Sequence, residues 1–209
     1  MKKDETIRIF EGDIPEFLSR SVKAGSSIGW DIETSGLDWK ADRIATCQLA
    51  FPDGLIAVVR IAESAPKNLI KLLGDSSVRK VFHHAMFDLR FMCHYWGVKP
   101  ANIGDTKIAA KLLDVRNLNS HSLKPVLRRY LAVRISKRQQ TSNWFRHELS
   151  DSQIRYAARD SKYLVQLLAM LENELKLRGL REIAEACYSY IPTRVQMDLL
   201  GYGNVFDYP

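Results

Sequence analysis

An α/β domain with a mixed central sheet flanked by helices and a helical C-terminal half is the fold class this sequence predicts. Three observations lead there. Apolar runs of strand length separated by turn residues crowd the first half. Segments with helical spacing dominate from residue 105 onward. The length, 209 residues, suits one domain with a substantial core, here residues 1–209.

Taken in order, residues 7–10 read as a short strand. Asp13 followed by Ile14-Pro15-Glu16 is a helix start, because the missing N–H of proline is harmless in a first turn, and Gly25 ends that helix. Residues 27–32 read as a buried strand that delivers Asp31 and Glu33 at its end, on one face because strand side chains alternate. Residues 44–51 and 55–61 are joined by Pro52-Asp53-Gly54 into a hairpin. A helix over 66–73 closed by Gly74, a strand over 78–82 and a helix over 85–96 closed by Gly97 follow, with Asp88 near the first turn of the last.

Further helices are expected over 106–113 and 122–130. Ser150-Asp151-Ser152-Gln153 fits a capping box, and apolar positions keep helical spacing from Ile154 to Leu168 and on to Gly179. One long helix would then place Tyr156 and Asp160 on the same face, a turn apart. Residues 135–146 form a polar, basic connection suited to touching substrate. Residues 181–209 read as a helical tail for packing or association.

Composition narrows the function classes. Hydrophobic residues are 46% and charged residues 26%, which argues against disorder. No run reaches the length of a membrane span, and the start lacks the apolar stretch of a signal peptide, so a cytoplasmic location and no membrane partner are expected. Cys47, Cys93 and Cys187 have no paired spacing and indicate neither a disulfide framework nor a zinc site. A net charge of +7 favours a polyanionic ligand.

Four carboxylates and a tyrosine carry the chemistry. Asp31-Ile32-Glu33 lies in an apolar strand pattern, Asp88 in an amphipathic helix, and Asp160 one helical turn from Tyr156. Each alone is as easily a solvated face. Together they are the oxygen-rich set that hard divalent cations require, and a pair of such ions can cleave a phosphodiester without a covalent intermediate.

These segments resemble the three motifs of the DEDDy 3′–5′ exonucleases, and within them the ribonuclease D group. Asp31-Ile32-Glu33-Thr34 is similar to the first motif, His84-Ala85-Met86-Phe87-Asp88 to the second, and Tyr156-Ala157-Ala158-Arg159-Asp160 to the third. Gln140-Thr141-Ser142-Asn143-Trp144 resembles the segment ahead of the third motif. A narrower resemblance, through the basic segment and the ending Asp198-Leu199-Leu200-Gly201, is to NrnC-type nanoRNases.

The resemblance implies a ribonuclease H-like fold in which Asp31, Glu33 and Asp160 hold one Mg²⁺ or Mn²⁺ ion, with Asp31 and Asp88 serving a second. Tyr156 is assigned to orienting the attacking water, since a phenol with a reference pKa of about 10 is a poor base at neutral pH. Thr34 and His84 are expected beside the substrate, His84 standing where the family more often has asparagine. Leu37 is expected to wedge between two terminal bases, or simply to pack in the core. Trp144 is either a stacking platform or a packing anchor. Lys137, Gln140 and Ser142 are expected to contact phosphates. His83, His121 and His147 have no metal-ligand spacing and remain unassigned.

The implied activity is 3′–5′ hydrolysis of short oligoribonucleotides, dinucleotides especially, to 5′ mononucleotides. Trimming of longer or structured RNA ends, action on DNA, and an inactive nucleic-acid-binding scaffold are the competing readings. Resemblance also implies a homo-oligomer, a ring-like octamer built from dimers.

Overall fold

In the computed structural model, the described residues are 6–116, 118–135, 142–146 and 148–207. Lys137, Gln140 and His147 lie outside them. Among the described residues, six strands form one sheet. They are β1 (Thr6–Glu11), β2 (Ser27–Thr34), β3 (Ile44–Ala50), β4 (Leu55–Arg60), β5 (Arg79–Phe82) and β6 (Ile103–Asp105), in the order β1-β4-β3-β2-β5-β6. Only β3 runs antiparallel to its neighbours, so the sheet is mixed as expected. The eight helices among the described residues are α1 (Glu16–Ser21), α2 (Lys67–Gly74), α3 (Ala85–Trp96), α4 (Thr106–Leu113), α5 (Leu123–Leu131), α6 (Asp151–Lys162), α7 (Leu164–Leu177) and α8 (Arg181–Leu199).

The strand predicted to deliver the first acidic pair lies at the centre of the sheet, between β3 and β5. It continues past Ile32 to Thr34, with a register shift between Glu33 and Thr34. The hairpin forms through Gly54, whose positive φ of 98° suits the turn and whose N–H bonds to the Phe51 carbonyl. β6 has no counterpart among the expected elements. It is three residues long, too short for a periodic signal, and exists by pairing with β5.

Two helix assignments change. Asp13 does not cap its own helix, which starts only at Glu16. Its carboxylate instead accepts the N–H groups of Asn68 and Leu69 at 2.7 and 3.1 Å, capping α2 from a distant part of the chain. The long helix expected from residue 150 divides at Tyr163 into α6 and α7. The two halves have different surfaces to cover: α6 lies on β2, β3 and β4, whereas α7 packs mainly on α4. The predicted capping box is present, with Gln153 N–H donating to Ser150 Oγ and Ser150 N–H to Gln153 Oε1.

The main core gathers Trp30, Leu49, Phe82, Phe91 and Met92 from the sheet and α3 with Leu167 and Leu171 from α7. α8 adds Ala184, Tyr188, Ile191 and Val195, so one face of the tail helix is buried within the chain. No helix among the described residues is long and apolar enough to cross a membrane.

Candidate active site

Three elements converge on one cleft of about 680 Å³. β2 contributes Asp31 and Glu33, alternate residues that share a face as strand geometry requires. The first turn of α3 supplies Asp88, and α6 supplies Tyr156 and Asp160. Carboxylate oxygens of Asp31, Glu33 and Asp160 all lie within 4.8 Å of one another. Asp88 is outside that triplet but lines the same cleft, buried to 3% exposure.

So many acids in one place perturb each other. Burial raises the Asp31 carboxyl well above its ordinary range, and the charges of Asp88, Asp160 and Glu33 raise it further. Glu33 is pushed up to about 9, first by burial and then by Asp160 and Asp88. Burial also raises Asp88, with Asp105 adding to the effect. Repulsion of this kind is relieved by a cation. A divalent ion holding oxygens at roughly 2.1–2.4 Å spans about 4.2–4.8 Å across its shell, which the triplet fits. An all-oxygen donor set selects hard ions such as Mg²⁺ or Mn²⁺ over zinc.

Tyr156 hydrogen-bonds Asp160, and its hydroxyl is raised far above the ordinary phenol value by burial and by the charges of Asp160 and Glu33. It is a neutral donor at any working pH. Trp144, 3% exposed, packs with Tyr156, Ala45 and Ala157, its ring centroid 6.0 Å from that of Tyr156. Of the two readings of this residue the packing anchor matches its surroundings, because a buried indole has no free face for a base. Ser142 does reach the cleft, held there by Gln153, whose amide donates to Ser142 Oγ at 3.1 Å and to the Asn143 carbonyl at 3.0 Å.

Leu37 is 83% exposed on the cleft wall and is not a core residue. Its loop is fastened by Asp42, whose carboxylate accepts from Ser35 Oγ at 2.8 Å and from Asp38 N–H at 3.0 Å. Thr34 lines the same wall, its hydroxyl bonded to the Gly36 carbonyl at 2.6 Å. His84 also lines the cleft, at a left-handed backbone position with φ 79°. Lys107 Nζ lies 2.6 Å from its Nδ1. Burial, and next the Lys107 charge, lower the His84 pKa, so Nδ1 accepts from the ammonium.

Sequence reasoning passed over Lys107, Asp42 and Asp105. Asp105 accepts the Ala85 N–H at 2.7 Å and the Lys107 N–H at 2.7 Å, and so joins the starts of α3 and α4. Its one legible signal was its place just before a helix. His83 is fixed between Thr106 Oγ1 and the His121 carbonyl, at 2.8 and 3.0 Å. Burial lowers it to about 3, so it is a neutral wall residue.

A family model described as 3′-5′ exonuclease matches residues 8–176. The chain belongs to the 3′–5′ exonuclease family. Among solved structures, this exonuclease is similar to Brucella melitensis NrnC with bound Mg²⁺, at 36% identity and a TM-score of 0.89, covering 98% of this chain and 100% of that one. Brucella melitensis NrnC bound to pGG matches at 37% identity and a TM-score of 0.89, over 99% and 100% of the two chains. Ribonuclease D of Nitrobacter hamburgensis is 31% identical over 137 residues, which cover 65% of this chain and 35% of that protein. The exonuclease thus spans about a third of that ribonuclease D. Its fold is the ribonuclease H-like fold of the family.

Proposed function

We propose that this protein is a divalent-metal-dependent 3′–5′ exoribonuclease that hydrolyses short oligoribonucleotides, dinucleotides above all, to 5′ mononucleotides. The observation that carries the reading is the convergence of Asp31, Glu33 and Asp160 within 4.8 Å on the floor of a cleft whose wall presents Leu37. The full-length similarity to a protein whose structure was solved with pGG supports the short substrate.

Two divalent ions, Mg²⁺ or Mn²⁺, would be held by Asp31, Glu33, Asp160 and Asp88 and would supply activation of water and charge neutralisation at the leaving oxygen. The remaining work falls to the chain. Tyr156, protonated and hydrogen-bonded to Asp160, donates no proton in the step and fixes the direction of the attacking water. Trp144 and Ala157 hold the phenol in place. Leu37 offers an apolar edge between two bases, and Thr34, His84 and Ser142 offer polar groups along the wall. Lys137 and Gln140, with Ser142, are assigned to substrate phosphates.

The test is a time course of defined RNAs of two to seven residues with Mg²⁺ or Mn²⁺. Rapid loss of the dinucleotide with slow loss of longer strands is expected. Preference for the longer strands would replace this reading by trimming of RNA ends, and no nucleotide release with either metal would leave a binding scaffold.

A further inference from the structure

Charge is distributed very unevenly along this chain. Of 31 Lys and Arg and 24 Asp and Glu, eight basic residues and no acidic one lie between Asp114 and Glu148, which leaves 23 basic against 24 acidic elsewhere. The whole net positive charge therefore belongs to one stretch of about a sixth of the sequence.

The structure gathers part of that stretch into a groove. Lys124, Arg128 and Arg129 of α5 line a concavity of about 720 Å³ with Ser120, Ser122 and Pro125. The three cationic side chains are exposed, and none forms an ion pair with a described residue. A patch of like charges that form no ion pair of their own raises the free energy of the bare fold and lowers that of a polyanion complex.

The groove adjoins the cleft. Ser120 and Ser122 stand on either side of His121, and the His121 carbonyl accepts the Nε2–H of His83 at 3.0 Å. His83 is a wall residue of the catalytic cleft. One hydrogen bond therefore links the rim of the basic groove to the wall of the acidic site. The stretch returns to the cleft at its other end, through Ser142.

We propose that the α5 groove is a second nucleic-acid site, which holds the phosphodiester backbone of single-stranded RNA upstream of the residues seated in the cleft. It rests on the reading of the cleft as the site of RNA hydrolysis. A dinucleotide fills the cleft alone and gains nothing from the groove. A longer strand is captured by its backbone without regard to sequence, through contacts that release counterions and weaken with salt.

The experiment compares the wild type with the triple variant Lys124→Ala, Arg128→Ala, Arg129→Ala. A control of equal charge change, Lys23→Ala, Lys67→Ala, Lys71→Ala, removes exposed cations from elsewhere on the surface. Binding of a fluorescent 12-residue RNA is followed by anisotropy in EDTA across a salt series, and pGG hydrolysis with Mg²⁺ in parallel. The groove variant should bind the 12-mer about tenfold or more weakly, with its log–log salt slope shallower by about 2, since each single-strand phosphate contact contributes about 0.7. The control should bind like the wild type, and pGG turnover should be unchanged in both. Equal binding by all three proteins overturns the groove. So does a parallel loss of pGG turnover in the groove variant. Wild type inactive on pGG would fault the reading of the cleft, whereas the anisotropy would still report on the groove.

Discussion

Gly29 of β2 faces the carbonyl of Ser161 in α6 so closely that a Cβ on Gly29 would overlap the Ser161 oxygen. Two residues along one element stands Asp31, and one residue back along the other stands Asp160. The contact that requires glycine is therefore the one that sets the spacing of two carboxylates of the acidic cleft. Gly29→Ala should destabilise the protein by roughly 1–3 kcal/mol, as overpacking does, and weaken Mn²⁺ binding at least tenfold. Urea unfolding and calorimetric titration measure the two effects. An alanine variant that binds Mn²⁺ like the wild type would show that α6 can shift without disturbing the site.

Tyr156→Phe keeps the ring that packs on Trp144 and removes only the hydroxyl. Turnover of a dinucleotide should fall about 10–150-fold, the equivalent of one charge-assisted hydrogen bond of about 1.5–3 kcal/mol. The pH–rate profile should keep its shape, because the phenol does not titrate in the working range. Loss of a limb of that profile would instead make Tyr156 a base.

Stability should depend on pH in a direction set by the acids. Asp31, Glu33 and Asp88 hold their protons more tightly in the folded chain than the ordinary values near 4 of an unfolded one. Their contribution is complete below pH ~4 and is lost as pH rises toward the folded value, about 9 for Glu33. The melting temperature in EDTA should therefore decline from pH 5 to pH 9. Mg²⁺ or Mn²⁺ should restore it, and by more at pH 8.5 than at pH 5.5, because bound cations take the place of the protons. A metal-induced shift that is larger at the acidic end contradicts the assignment.

Asp31→Asn and Asp160→Asn should each abolish detectable turnover while leaving the far-ultraviolet spectrum unchanged. In EDTA at pH 8.5 both should melt no lower than the wild type, since each removes one member of a repelling group. Full activity in either variant removes that residue from the site.

His84 is held at φ 79°, a region costly to most side chains and tolerated by asparagine. His84→Asn should unfold in urea within ~0.5 kcal/mol of the wild type, whereas His84→Val should lose roughly 1–2 kcal/mol. In Lys107→Met, the His84 imidazole should titrate at a higher pH by nuclear magnetic resonance, because an adjacent positive charge is gone. An unmoved titration would mean that the ammonium and the ring do not meet in solution.

Local rules made most of the fold legible. The turn at Gly54, the αL stop at Gly97 and the box at Ser150 are encoded within a few residues, and the structure has all three. What escaped were partnerships across the sequence. Asp13 caps a helix more than fifty residues away, β6 exists through β5, and the helix predicted as one divides because its halves cover different surfaces. Propensity and periodicity have no term for such distances.

For the site, the sequence by itself determined the chemistry: four carboxylates and a tyrosine in a fixed order, on a strand and two helices whose periodicities could be read. Only the tertiary structure decided that three of those carboxylates come within 4.8 Å, that Trp144 packs beneath Tyr156, that Leu37 is exposed rather than buried, and that Lys107 meets His84. The reason is physical. A residue's identity and local backbone fix what it can do, but burial, repulsion and proximity depend on which distant surfaces the close-packed core brings against it.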